Sequence, residues 1–209
     1  MAISTYTSLL PSMTPRLPDC SSYMILQALW LMGRDFCVES EAYVQKLTAI
    51  DTVADQEEYT LTTPTEFDPL RVTTAWRRTE TNVTDGDEGL IIPSTSYEFA
   101  QATNVLKFYE APFTEVITSG LVVELALAPQ EDADGGELDF EWVRRWAEYI
   151  KAGALYHLMS MEKMAWYSPN GAALNFQTYR TGIGYARREK FTQNTTKQMR
   201  MTAGEASWL

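Results

Sequence analysis

Residues Ala152–Met161 read AGALYHLMSM and contain the one histidine of the 209-residue chain. At about 100° per residue this stretch belongs to a longer helical pattern over 139–161. Val143, Trp146, Ile150, Ala154, Leu158 and Met161 fall on one face, while Arg144, Arg145, Glu148 and Lys151 lie elsewhere. His157 falls on the apolar face between Trp146 and Ile150, with Tyr149 and Tyr156 towards its flank. Met159 falls opposite, with Glu148 and Ala152. Gly153-Ala154 lets a second helix approach closely. A lone histidine in this setting is expected to be a core or interface residue with hydrogen-bonded ring nitrogens. It is not expected to be a catalytic base.

Outward from that helix the pattern repeats. Asp139 supplies a capping carboxylate at its start. Ser168 followed by Pro169 opens another helix, expected to run to about Phe191. Ala172, Phe176, Tyr179, Ile183 and Ala186 line its apolar face. Upstream, Asp19, Ser21 or Ser22 caps a helix running to about Ser40, with Ile25, Leu29, Met32 and Phe36 at helical spacing. Met24, Ala28 and Leu31 make it apolar on more than one side, as in a helix deeply buried or shared with a neighbour. The residues expected to pack these helices, or to meet another subunit, are Leu29, Met32, Phe36, Trp146, Ile150, His157, Phe176 and Tyr179.

Between the helices, residues 43–129 change to β texture. Val44, Leu47 and Ile50 open it, and Tyr59–Thr62, Leu70–Thr79, Leu90–Ile92, Tyr97–Ala100, Val105–Tyr109 and Gly120–Leu127 read as short strands. Asp85-Gly86 is a turn pair. Val122 and Glu124 read as half-buried. The expected fold is α+β: a helical body from 19–42 and 138–190, with an inserted antiparallel sandwich or small barrel. Residues 1–18, with three prolines, read as an extended arm. Residues 130–137 read as an acidic linker, a poor match to a calcium loop because Gly136 occupies a ligand position. Residues 191–209 read as an extended tail that docks on a partner.

Composition narrows the class. Hydrophobic residues make up 45% and charged residues 22%, the mix of a soluble globular protein. The net charge of −11 argues against a protein that coats nucleic acid. The charge is uneven: from residue 172 onward six cations face two anions. Arg187, Arg188, Lys190, Lys197 and Arg200, with the terminal Trp208 and Leu209, are therefore candidates for docking on an acidic partner. Cys20 and Cys37 sit at opposite ends of one helix, too far apart for a disulfide, and read as reduced, buried thiols. The N-terminus lacks a basic region followed by an apolar run, and no stretch is long and apolar enough to span a bilayer.

Catalytic signatures are scarce. There is no His-Glu-x-x-His, Cys-x-x-Cys, Gly-x-Ser-x-Gly or Walker loop. A zinc site would need His157 and Cys20, Cys37 or carboxylates to converge from separate elements. No enzyme activity, metal or cofactor is expected.

The order of motifs is more informative. Leu17-Pro18-Asp19-Cys20 is followed by Arg34-Asp35-Phe36-Cys37 at a helix end, then by Asp55-Gln56-Glu57-Glu58-Tyr59-Thr60-Leu61 before Pro64. Pro129 then follows a strand, Gly153-Ala154-Leu155 lies within a long helix, and Trp166 and Pro169 lead the last one. Over about residues 17–190 this set resembles bacteriophage head-to-tail adaptors, also called connectors or small tail tubular proteins. Tyr43 stands where that pattern has Trp. The resemblance implies a structural virion protein that is assembled in the host cytoplasm and not in a membrane. Such adaptors form a ring, typically of twelve copies, around which the helical body would pack side by side. The ring lies below the portal protein, offers the tail nozzle or tube a docking surface and continues the DNA channel. The C-terminal segment would reach the portal, the β module would meet the tail, and an acidic lining would let genomic DNA pass without sticking. The alternatives are another tail-completion or neck protein, a tail-associated cell-wall glycosidase acting through paired carboxylates, or a cytoplasmic binding module.

Overall fold

Local capping sets where the long helices begin. Ser21 accepts a hydrogen bond from the Met24 N–H, and α2 then runs Ser22–Ser40. It ends where Glu41 turns left-handed at φ 50° and returns its N–H to the Cys37 carbonyl at 2.8 Å. Asp139 accepts from the N–H groups of Glu141 and Trp142 and opens α3, Phe140–Met159. The Ser168 hydroxyl accepts from the Gly171 N–H at 3.3 Å and opens α4, Pro169–Glu205.

The computed structural model describes residues 4–78, 89–131 and 137–205, the side chains of Ser4 and 191–205 excepted. The Asp85-Gly86 turn, the acidic-loop residues Asp132, Asp134 and Gly136, and Trp208 and Leu209 lie outside the described residues. The chain divides into two compact units, Met1–Ala42 with Ala128–Leu209, and Tyr43–Leu127.

The helical unit is built where α2, α3 and α4 meet. Phe36 lies 5.5 Å from Trp146, 5.9 Å from Trp142 and 6.0 Å from Tyr179, measured between ring centroids. Leu29, Ile150, Ala154, Leu158, Ile183 and Ala186 are buried around them. Burying each of the Leu and Ile side chains contributes roughly 1.5–3 kcal/mol, and this packing holds amphipathic helices that propensity alone would not.

Two expectations for this unit are corrected. Residues 4–16 are not an extended arm but form 3-10 turns, Ser4–Leu9 and Thr14–Arg16, around the single turn α1, Leu10–Met13. Tyr6, Met13 and Leu17 are buried, and the Tyr6 ring lies against Gly33 of α2, where a side chain would collide with it. Pro11 and Pro15 fit because they stand in first turns, where a missing N–H costs nothing, and Pro18 lies in the turn that follows. Residues 191–205 are not extended either. The helix continues through them to Glu205, because intrahelical hydrogen bonds need no apolar face.

The β unit holds two antiparallel sheets and no closed barrel. One has the order β1-β7-β3-β4: β1 Val44–Lys46, β7 Leu121–Pro129, β3 Phe67–Arg77 and β4 Leu90–Ile92. β1 pairs with β7 at Gln45↔Leu125, and β3 with β4 at Trp76↔Ile91. The other has the order β2-β6-β5: β2 Glu58–Thr60, β6 Val105–Phe108 and β5 Tyr97–Ala100. Leu106 of β6 pairs with both Tyr59 and Phe99. Tyr59, Tyr97, Phe108 and Phe113 form an edge-to-face aromatic cluster with centroids 5.8–6.0 Å apart. Val122 is buried rather than half-buried, because β7 is an inner strand flanked by β1 and β3.

Candidate interaction surface

The basic stretch of α4 starts its work inside the chain. Arg187 Nε donates to the Glu39 carbonyl at 2.7 Å, and its Nη2 reaches the Glu39 carboxylate at 3.0 Å. Arg180 approaches the same carboxylate at 3.7 Å. Lys190 Nζ lies 2.6 Å from Glu41, just past the end of α2. Arg145, early in α3, pairs with Glu189. The C-terminal end of a helix carries unpaired carbonyls and partial negative charge, so cations settle there. Two residues read as docking candidates, Arg187 and Lys190, are thus engaged by α2. Arg188 is exposed, and Lys197 and Arg200 lie on the helical continuation beyond these pairs.

The packing candidates separate into two groups. Leu29, Met32, Phe36, Trp146, Ile150 and Tyr179 are buried and converge. The Tyr179 hydroxyl donates to the Asp35 carboxylate at 2.7 Å, and burial followed by that carboxylate pushes its pKa far above the usual tyrosine range. Gly153 gives the Tyr179 ring its space, since a methyl group there would lie 2.7 Å from Cδ2. Phe176 is the exception. It is 41% exposed and rests on Tyr156 at 4.8 Å, one side in solvent.

His157 also departs from expectation. It is half-buried, and among the described residues its ring makes no hydrogen bond. It lines a cavity of about 250 Å³ with Met24, Gln27, Ala28, Trp30, Leu31, Leu158 and Met161. The apolar second face of α2 forms much of that wall. Met159, placed opposite by periodicity, receives the Asn175 side chain at 3.7 Å from its sulfur, and Ala152 is buried. Around Met159 the far side of α3 is therefore covered by the start of α4, while Glu148 on that side stays exposed. Cys37 is buried and free, whereas Cys20 is free but only half-buried; burial pushes the thiol pKa of both upward.

Two surfaces escaped the sequence reading. The connection into α4 and its first turns expose Met164, Tyr167, Leu174 and Phe176. In the β unit, a cavity of about 710 Å³ lies beside β4, lined by Arg77, Leu90, Ile91, Ile92, Tyr109, Glu110 and Pro112 among others. Arg77 Nη1 donates to the Pro112 carbonyl at 3.1 Å across it. The sequence signal for this site was the uncharged run Leu90-Ile91-Ile92.

Among the described residues no group of three or more His, Cys, Asp or Glu is placed to hold a metal ion. No described helix is long and apolar enough to cross a membrane. No protein-family model matches the chain, and no curated protein matches it.

Proposed function

We propose that this chain is a bacteriophage head-to-tail adaptor, one subunit of a ring between the portal and the tail nozzle or tube that continues the DNA channel. The observation that carries the reading is the course of α4. The pairs Arg145–Glu189, Arg187–Glu39 and Lys190–Glu41 tie it to α2 and α3 near residue 190. The helix then continues for residues 191–205, about 22 Å at 1.5 Å per residue. A basic helical segment that continues past those ties suits insertion into a neighbouring protein, here the portal, through Arg188, Lys197, Arg200 and the terminal Trp208 and Leu209. The exposed apolar side chains at Met164, Tyr167, Leu174 and Phe176 suit contact between subunits in a ring. The ring is expected to hold twelve copies, closed by the head-to-tail contacts of cyclic assemblies.

Purified full-length protein mixed with the portal protein of the same phage tests this. A portal-bound ring should form with the intact chain and fail when residues 191–209 are removed. A chain that stays monomeric with portal, or a truncation that binds equally well, would overturn the proposal.

A further inference from the structure

The geometry points to β4 as a docking edge for an extended strand of another protein that carries a carboxylate. β4 is outermost in the sheet order β1-β7-β3-β4 and pairs with β3 through Ala75↔Ile92, Trp76↔Ile91 and Arg77↔Leu90. Among the described residues no strand pairs with its other edge, and an unpaired row of N–H and C=O groups is a template for a further strand.

Sheet edges are normally blunted by charge, proline or a bulge. The other outer strands follow that rule: β1 carries Lys46, β2 Glu58 and β5 Glu98. β4 is Leu-Ile-Ile, with Leu90 exposed. β4 is blunted only by its length of three residues and by Pro93 just after it; it lacks the charged side chain that each of the other outer strands carries.

The cavity beside β4 supplies the space and the selectivity. At about 710 Å³ it runs from Leu90, Ile91 and Ile92 to Tyr109 and Pro112. Arg77 stands in register with Leu90, and the hydrogen bond from its Nη1 to Pro112 holds the guanidinium within the cavity. Among the described residues no carboxylate pairs with it, and the rest of its planar N–H fork suits a carboxylate bidentately. Glu110 also lines the cavity but is exposed, where water and salt screen its charge. Backbone pairing along β4 gives affinity, and Arg77 selects an anion at the Leu90 end. The inference stands on the β unit alone and does not depend on ring formation or on the portal.

The test uses the full chain and two labelled peptides of alternating valine and threonine. One ends in aspartate with a free carboxyl group, and the other in asparagine amide. The first should bind about tenfold more tightly, in line with charge-assisted hydrogen bonding, and should shift the backbone amide signals of Leu90–Ile92. Leu90→Lys, at an exposed position, should weaken both peptides at least tenfold with the melting temperature retained. Arg77→Gln, which keeps a donor for Pro112, should abolish the preference and leave the amide peptide's affinity unchanged. The inference is overturned if millimolar peptide leaves the Leu90–Ile92 signals unmoved, or if the preference survives Arg77→Gln. It is equally overturned if the wild-type chain self-associates through this edge and Leu90→Lys makes it monomeric, since the occupant is then a second copy.

Discussion

Gly153→Ala should destabilise the helical unit, against the usual sign of that exchange. In a helix interior alanine is favoured over glycine by about 0.8–1.0 kcal/mol. At Gly153 the new methyl would lie 2.7 and 2.9 Å from Cδ2 and Cε2 of Tyr179 and 3.1 Å from Cε of Met32. Carbon atoms rest comfortably at about 3.5–4.0 Å. The Tyr179 ring cannot swing aside without losing its hydrogen bond to Asp35, 2.7 Å long and part-buried. Overpacking of this kind costs roughly 1–3 kcal/mol, so the net loss should be about 1 kcal/mol. Gly184, in α4, provides the control. A methyl there meets nothing within 4 Å, so Gly184→Ala should gain about 1 kcal/mol. Urea unfolding followed by circular dichroism at 222 nm measures both, read as midpoint shifts at unchanged slope. If Gly153→Ala stabilises as much as Gly184→Ala, the close approach of α3 to Tyr179 is not what the structure describes.

Tyr179→Phe should cost about 1–2 kcal/mol by leaving Asp35 without its donor, and in that background the penalty of Gly153→Ala should shrink, measured by a double-mutant cycle. The raised Tyr179 pKa also has a pH consequence. The unfolded chain loses this proton near its ordinary value of 10.0 while the folded chain keeps it, so stability is intact below pH 10 and falls as pH rises further. The Phe variant should show a shallower decline above pH 10 in the same unfolding assay. Asp139→Ala should cost about 1 kcal/mol through loss of the α3 cap, with Asn or Ser restoring most of it. Glu39→Gln should change stability by less than about 1 kcal/mol, in a salt-sensitive way, because both partners in its ion pairs are exposed.

Helix starts were legible because their signals are local. Ser21, Asp139 and Ser168-Pro169 act on N–H groups within three residues of themselves. The strands were legible from alternation and β-branched content, and β4 was read at its observed bounds. Features that depend on distant residues were not legible. The burial of Tyr6 requires Gly33, some 27 positions away, and proline content alone made residues 1–18 look extended. Phe176 lies on the periodic apolar face, but periodicity does not say how much of a face its neighbour covers, and Tyr156 covers one side of the ring. His157 was read as hydrogen-bonded because buried imidazoles usually are, yet it borders a cavity formed with α2. The basic run after residue 172 was visible in the sequence. That Arg187 and Lys190 would meet Glu39 and Glu41 was not, because nothing local brings α4 to the end of α2.

Cryo-electron microscopy of the head–tail vertex in intact virions tests the adaptor reading most directly. A ring of this chain should lie between portal and tail, with α4 beyond residue 190 inserted against the portal. Absence of the chain from that vertex, or a ring whose C-terminal helices point away from the portal, would contradict it.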